Sequence, residues 1–209
     1  MTSGPPELVG ADDVLTVVDG LAAALDTPAE RDDDPRWDAP AAHIDWTCRY
    51  TLAHVADCVT WYAALLARRA TTFVEVAENS PTAKAVLLVD SLRSGAVLLD
   101  AVLRTTPPET RAYHAFGMAD RSGFAAMACD ETLVHGADIA EILGVAYVPP
   151  LDVVARVVQR LFPWVTVGDD PWAALQFANG RAPLGDEQPR KKWKWHCAPL
   201  EEWDGKPAA

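Results

Sequence analysis

The chain has 209 residues, of which 50% are hydrophobic and 23% charged, as expected for a globular protein with a full hydrophobic core. Its formal net charge of -12 at pH 7 repels phosphate backbones and excludes nucleic acid as an expected partner. The N-terminus lacks the features of a secretory signal, and charged residues interrupt every long apolar stretch, so we expect a cytoplasmic protein with no membrane partner.

Two helices separated by a long loop are predicted in the first third of the chain. Apolar residues recur every three or four positions between residues 14 and 25 and predict the first helix. Residues 27–45 are rich in proline and acid and are interpreted as a long loop, a kind of segment that is often functional or mobile. Asp45 is the predicted N-cap of the second helix, which ends at the basic pair Arg68 and Arg69.

Two further helices follow along the chain. Pro81, at the first helical position, begins the third helix, which runs to about Arg104 and is ended by a pair of prolines. The next segment is interpreted as an irregular connection, and no β-hairpin signal is found before residue 145. The fourth helix begins at Asp120 or Ser122 and ends at Gly144, the predicted C-cap. Four long helices predict a mainly α-helical fold, a four-helix bundle.

Residues 147–209 differ in character and are interpreted as an appendage packed on a bundle formed by residues 1–146. A second proline pair introduces a further helix, which ends before Pro163. The run 190–195 combines basic and aromatic residues, but in so acidic a chain a solvated strand face is a better interpretation than nucleic-acid binding. Aromatic and polar residues alternate over residues 193–203, which predicts a short strand or hairpin.

Four cysteines occur, at positions 48, 58, 129 and 197, and no two of them form a CxxC pair. A structural zinc site built from four thiolates needs closely spaced pairs, so this kind of site is excluded. The cysteines are interpreted as free thiols, and the first three, in alanine-rich helical surroundings, as small apolar residues.

The most informative spacing in the chain is Glu131-x-x-x-His135 on the fourth helix. Residues four apart lie one above the other on a helix, with Cβ atoms roughly 6 Å apart, so a carboxylate and an imidazole can bind one ion. His54 on the second helix is the third candidate ligand, because bundles build metal sites from facing helices. Three ligands leave a fourth position open, as in catalytic zinc sites. On spacing alone, an ordinary i,i+4 contact and a satisfied core histidine stay open as alternatives.

Two segments of the chain resemble the DinB-like superfamily, in its actinobacterial branch of mycothiol-dependent maleylpyruvate isomerases. WTCRYTLAHVADCVTWYAALL is similar to the second helix of that branch, with a tryptophan before the helix and a histidine within it. DETLVHGADIAEILG is similar to its later helix, with a glutamate and a histidine four residues on. The resemblance covers residues 10–145 and implies that His54, Glu131 and His135 are metal ligands. Beyond residue 145 the chain does not clearly match the isomerase's C-terminal domain, so substrate groups from that domain are not carried over.

Further residues are candidates beside these three ligands. Asp57 and Asp138 each lie three residues beyond one of the two histidines, where a carboxylate can accept the second N–H of a ligand imidazole. Arg49 and Trp46, near the mouth end of the second helix, are candidates to contact an anionic substrate or cofactor. His114, in the predicted connection, is the alternative ligand if one of the three is misassigned.

The resemblance implies chemistry on low-molecular-weight thiols, with mycothiol as co-substrate. Zinc is the favoured divalent metal because two imidazoles and a carboxylate with an open position suit it, and nickel and iron fit the same donors. The expected function is a metal-dependent thiol S-transferase or isomerase acting on a small electrophile, in which the metal activates the thiolate. Two alternatives stay open: a non-catalytic metal- or ligand-binding stress protein, and a metal-dependent hydrolase with Asp57 or Asp138 as base. Related bundles imply a homodimer.

Overall fold

The helical periodicity of the sequence corresponds to six α-helices in a computed structural model, which describes residues 8–207. The prediction of a mainly α-helical fold is confirmed. The helices are α1 (Ala11–Ala29), α2 (Cys48–Ala67), α3 (Ala85–Thr105), α4 (Arg121–Leu143), α5 (Leu151–Leu161) and α6 (Pro171–Ala178). Two short strands, β1 (Ala112–His114) and β2 (Gly117–Ala119), lie between α3 and α4, and 3-10 turns occur at Pro35–Asp38 and Leu200–Glu202.

The first four helices form the bundle, in which α1 and α2 lie diagonally and each packs on both α3 and α4. The facing surfaces are aliphatic and fully buried, which is the main source of stability in such a bundle. Gly136 allows α4 to approach α1 closely, since a Cβ at this position would lie only 2.7 Å from a methyl carbon of Leu21. Because Gly136 directly follows His135, this close packing fixes the rotation of α4 and hence the direction of the two candidate ligands on this helix.

The start of two helices differs from the prediction. The hydroxyl of Thr47, not Asp45, caps α2 by accepting a hydrogen bond from the backbone N–H of Tyr50 at 3.1 Å. The third helix begins at Ala85, four residues later than predicted. Its first N–H group, that of Ala85, donates a hydrogen bond to the carboxylate of Asp32 at 2.8 Å, and this contact fixes the start of the helix. Local capping signals could not reveal an acceptor that lies 53 residues away in the chain.

Both ends of α4 agree with the prediction. The Asp120 carboxylate accepts a hydrogen bond from the N–H of Gly123 at 2.7 Å and thereby caps the first turn. Gly144 ends the helix in the left-handed conformation with φ +65°, which glycine adopts without the strain that a Cβ would introduce. The helix that carries two of the three candidate ligands is therefore bounded by local signals at both ends.

The long loop between α1 and α2 is present as predicted, but its contacts anchor it firmly. Trp37 is fully buried, and its indole N–H donates to the carbonyl of Pro28 at 3.2 Å. The N–H of Ala42 donates to the carbonyl of Asp138 in α4 at 3.1 Å. These contacts bring the end of the loop, and with it Trp46, beside the candidate ligands.

The prediction that no hairpin precedes residue 145 is wrong. Strands β1 and β2 pair antiparallel, with Ala112 opposite Ala119 and His114 opposite Gly117. Each strand has only three residues, which is too short for period-2 alternation to be recognised. Gly117 at the turn has φ +143°, a conformation that favours glycine.

The predicted strand or hairpin over residues 193–203 is also wrong, since the described part of the chain has no strand there. Trp193 and Trp195 turn towards the protein while Lys194 is exposed, so the alternation comes from an extended segment lying on the bundle without a partner strand. Helix α5 packs on α4, and α6 packs on α5. The division at residues 146 and 147 stays a prediction. Among residues 8–207, no helix is long and apolar enough to cross a membrane.

Candidate metal centre

His54, Glu131 and His135 come together between α2 and α4. One donor atom from each lies within 4.8 Å of the other two. The Nε2 atoms of His54 and His135 lie 3.6 Å and 3.3 Å from the same carboxylate oxygen, Oε2 of Glu131. Among residues 8–207, this is the one such group of three or more potential ligands. Two imidazole nitrogens and one carboxylate oxygen converging in this way fit a divalent metal of the zinc type.

The charges of the three side chains are strongly coupled. Burial opposes ionisation of Glu131, but hydrogen bonds from His135 and His54 hold its pKa well below the usual range for a carboxyl. Burial likewise opposes protonation of His135, yet its contacts with Asp138 and Glu131 raise its pKa to about 9. The buried carboxylate thus requires positive charge beside it, which a proton supplies in the metal-free protein and a dication would supply in the loaded one.

The two aspartates predicted to support the histidines differ in their contacts. Asp138 Oδ2 lies 3.5 Å from Nδ1 of His135, close to hydrogen-bond distance, and it also accepts a hydrogen bond from Arg181 at 2.8 Å. Asp57 instead accepts hydrogen bonds from the backbone and side-chain nitrogens of Asn79, at 2.9 Å and 2.6 Å. Asp138 therefore has the geometry to orient a ligand imidazole, whereas Asp57 anchors the segment before α3.

Arg49 and Trp46 also have different roles. Arg49 is buried and donates to the carboxylates of Asp32 at 2.6 Å and Asp38 at 3.2 Å, so it fastens the α1–α2 loop and does not face the candidate ligands. Trp46 is 42% exposed, and its ring centroid lies 4.9 Å from that of His54. Trp46 therefore lies at the rim of the site, and its contact with a ligand stays a prediction.

The three candidate ligands border a cavity of about 410 Å³, whose far wall is aromatic. This wall is formed by side chains from α2, the β-hairpin and the C-terminal segment: Trp61, Tyr62, His114, Phe116, Trp193 and Trp195. The sequence did not indicate that the C-terminal segment contributes to the site. Its contribution is fixed by Asp130, which accepts hydrogen bonds from Asn179 at 2.8 Å and from the indole of Trp195 at 2.9 Å.

A second cavity of about 350 Å³ adjoins the first. His54, Cys58 and Trp61 border both cavities, so His54 is the one candidate ligand that is accessible from two sides. The second cavity is also bordered by three acidic residues, Asp57, Glu75 and Glu78. Cys58 Sγ lies 3.5 Å from His54 Nε2, and burial raises the pKa of this thiol well above its usual range. All four cysteines are unpaired, in agreement with the prediction of free thiols.

His114 is not one of the converging ligands. It lies in β1, is 6% exposed, and its Nδ1 accepts a hydrogen bond from the backbone N–H of Phe116 at 3.2 Å. Burial lowers its pKa from 6.5 to about 4. His114 is therefore not a loop residue that could serve as the alternative ligand. It is a neutral, buried histidine in the wall of the cavity.

We expect His114→Asn to reduce the loss of stability in mild acid. The unfolded chain takes up a proton at this position near pH 6.5 and the folded chain only near pH 4, so stability due to His114 falls as the pH decreases through that window. Asparagine retains an acceptor for the N–H of Phe116 but does not titrate. Chemical denaturation between pH 4 and pH 7 should show a decrease in the free energy of unfolding that is smaller in the variant by up to about 3 kcal/mol. If the free energy of unfolding changed equally with pH in the two proteins, the lowered pKa of His114 would be contradicted.

Comparison with known proteins adds a family to this geometry. A family model described as the mycothiol maleylpyruvate isomerase N-terminal domain matches residues 18–140, which is more than half of the chain and includes all three candidate ligands. No curated protein and no solved structure matches the chain. The matched region ends before α5, so the C-terminal wall of the cavity lies outside it.

Proposed function

We propose that this chain, which belongs to the mycothiol maleylpyruvate isomerase N-terminal domain family, is a metal-dependent enzyme. It would transfer a low-molecular-weight thiol of the mycothiol type to a small electrophile. The family supports this proposal because it implies a thiol-dependent isomerase- or transferase-like role. The observation that carries this proposal is the convergence of three donor atoms from His54, Glu131 and His135 within 4.8 Å of one another. Zinc is the metal best suited to these donors, and nickel and iron are the alternatives.

A divalent metal supplies one kind of chemistry here: it lowers the pKa of a bound thiol so that the thiolate is available at neutral pH. The protein's own residues supply the rest. The Glu131 carboxylate provides one negative charge, and Asp138, whose Oδ2 lies 3.5 Å from Nδ1 of His135, would orient this imidazole once the two atoms form a hydrogen bond. The aromatic wall limits the water that reaches the sulfur, which strengthens electrostatic interactions there.

The two adjoining cavities are consistent with two reactants. In a transfer, the sulfur forms a bond to an electrophilic carbon while the thiol proton is released and a leaving group departs with its electron pair. In an isomerisation, the sulfur adds to a carbon–carbon double bond, rotation about the resulting single bond follows, and the sulfur leaves as the double bond forms again. Hydrolysis would need a further base, and Asp57 and Asp138 are both committed to other groups.

The test is an assay of purified, zinc-loaded protein with mycothiol and an electrophile, either maleylpyruvate or a chromogenic alkylating agent. We expect turnover that depends on both metal and thiol and that is lost on chelation and restored by zinc, nickel or iron. A rate no higher than the uncatalysed background with each of these metals would contradict the proposal. A thermal shift caused by mycothiol without any turnover would indicate the non-catalytic binding protein instead.

A further inference from the structure

Arg181 brings a cationic group from the C-terminal segment to the edge of the larger cavity. It follows α6 directly, where Gly180 has φ +74° and the N–H of Arg181 donates to the carbonyl of Gln176 at 2.8 Å. This tight turn reverses the chain and directs the side chain of Arg181 towards α4. Arg181 lies outside the region matched by the family model.

The guanidinium of Arg181 is held in place by one hydrogen bond, but another of its N–H groups has no acceptor among residues 8–207. Its Nη2 donates to Asp138 Oδ2 at 2.8 Å, and Asp138 is its only acceptor within residues 8–207. Its Nε is buried and has no hydrogen-bond partner among these residues. A buried N–H without an acceptor is unfavourable, and more so on a charged group, so a ligand that offers an acceptor here is favoured.

Neither of the neighbouring carboxylates, Asp130 and Glu131, accepts a hydrogen bond from Arg181. Both oxygens of Asp130 accept hydrogen bonds, one from Asn179 and the other from Trp195. The carboxylate of Glu131 faces the two histidines. The Nε–H of Arg181 is therefore available to donate a hydrogen bond to a ligand bound in the cavity.

The remaining surface of the cavity selects an apolar occupant. Trp195 packs against Phe116 and Trp193, with ring centroids 5.6 Å and 5.9 Å away, and offers large apolar surfaces. We infer that this cavity binds a small carboxylate with an apolar or aromatic body, with the carboxylate at Arg181 and the body on the tryptophan wall. The inference rests on the proposed function in one respect: such a compound would be the electrophile.

The adjoining cavity has the opposite character, because acidic residues border it. Asp57, Glu75 and Glu78 disfavour an anion there and provide acceptors for hydroxyl groups. An anionic ligand is therefore favoured on the side of Arg181 and not on this side. The two cavities meet at His54, which borders both.

A pair of probes that differ in charge but hardly in shape tests the inference: 3-phenylpropionate and 3-phenylpropionamide. Both are titrated into metal-free and zinc-loaded protein, and binding is followed by tryptophan fluorescence, since Trp193 and Trp195 form the wall. We expect the carboxylate to bind at least about tenfold more tightly than the amide in the wild-type protein, in both metal states. Arg181→Gln should reduce this ratio to about one, Arg181→Lys should restore part of it, and Arg190→Gln, at an exposed arginine nearby in the sequence, should leave it unchanged.

Three results would overturn the inference: no saturable binding of the carboxylate, equal binding of the two probes, or a ratio that survives Arg181→Gln. A preference that requires zinc and ignores Arg181 would mean that the carboxylate binds the metal. The assay needs neither thiol nor turnover, so its outcome is separate from that of the activity assay. Arg181-dependent binding without thiol transfer would contradict the proposed function alone.

Discussion

Glu131→Gln is expected to weaken zinc binding by at least about 100-fold, since even residues that only support metal ligands contribute 10- to 100-fold. Glutamine has nearly the same shape but lacks the negative charge that the two imidazole groups face at 3.3 Å and 3.6 Å. The charge is the part of the donor set that offsets a dication in a buried site. Competition with a chromogenic chelator at fixed pH measures the affinity.

Glu141→Gln is the matched control for this substitution. Glu141 is on the same helix, is exposed, and does not belong to the converging group, so its replacement should leave the zinc affinity unchanged. Equal affinities of the wild-type protein and the Glu131 variant would show that Glu131 is not a ligand. A similar loss in both variants would indicate a general effect of charge and not coordination.

Arg160→Ala is expected to lower the free energy of unfolding by about 3–5 kcal/mol. Arg160 in α5 is 2% exposed and donates to the Asp120 carboxylate at 2.5 Å and to the carbonyls of His196 and Cys197 at 3.0 Å and 3.1 Å. Its removal leaves a partly buried carboxylate and two carbonyls without this donor. Because Asp120 also caps α4, the change loosens the connection among α4, α5 and the C-terminal segment. Urea denaturation monitored by circular dichroism measures the effect.

Arg156→Ala provides the comparison for this prediction. Arg156 lies one helical turn earlier in α5 and its side chain is 34% exposed. Its ion pair with Asp152 lies at the surface and its ion pair with Asp13 is partly buried, so its loss should cost about 1 kcal/mol. If Arg160→Ala is no more destabilising than Arg156→Ala, the buried arginine does not fasten the C-terminal segment. The structure would then give no reason for the segment's position in the cavity wall.

The bundle was predictable from sequence because its signals are local. The periodicity of α1 to α4, the Asp120 cap and the Gly144 end depend on neighbours within a few residues, and the structure agrees with them. The start of α3 was misplaced because the acceptor for its first N–H, Asp32, lies in a distant loop. The hairpin was missed because three-residue strands carry too little alternation to be recognised.

The core of the candidate site was predictable for a similar reason. Glu131 and His135 are one turn apart, and the resemblance added His54 on the facing helix. The residues around them were harder to assign, because hydrogen-bond competition decides their roles: Asp57 bonds to Asn79, and Arg49 bonds to the loop carboxylates. Contacts between residues far apart in the chain are invisible to patterns of local spacing.

The contribution of the C-terminal segment is the clearest example of this limit. Asp130 was not a candidate residue, yet its carboxylate fixes Asn179 and Trp195 from positions 49 and 65 residues away. The same segment brings Arg181 to Asp138. The three candidate ligands could be named from sequence, whereas the lining of the cavity beside them depends on tertiary packing.

The metal content of the protein purified without added metal tests the central claim most directly. Elemental analysis is expected to find about one divalent ion per chain in the wild-type protein, and almost none in folded His54→Ala and Glu131→Ala variants. His43→Ala, at an exposed histidine, should retain the wild-type content. A folded wild-type protein without stoichiometric metal, even after zinc is supplied, and with stability equal to that of the two ligand variants, would contradict a metal centre at His54, Glu131 and His135.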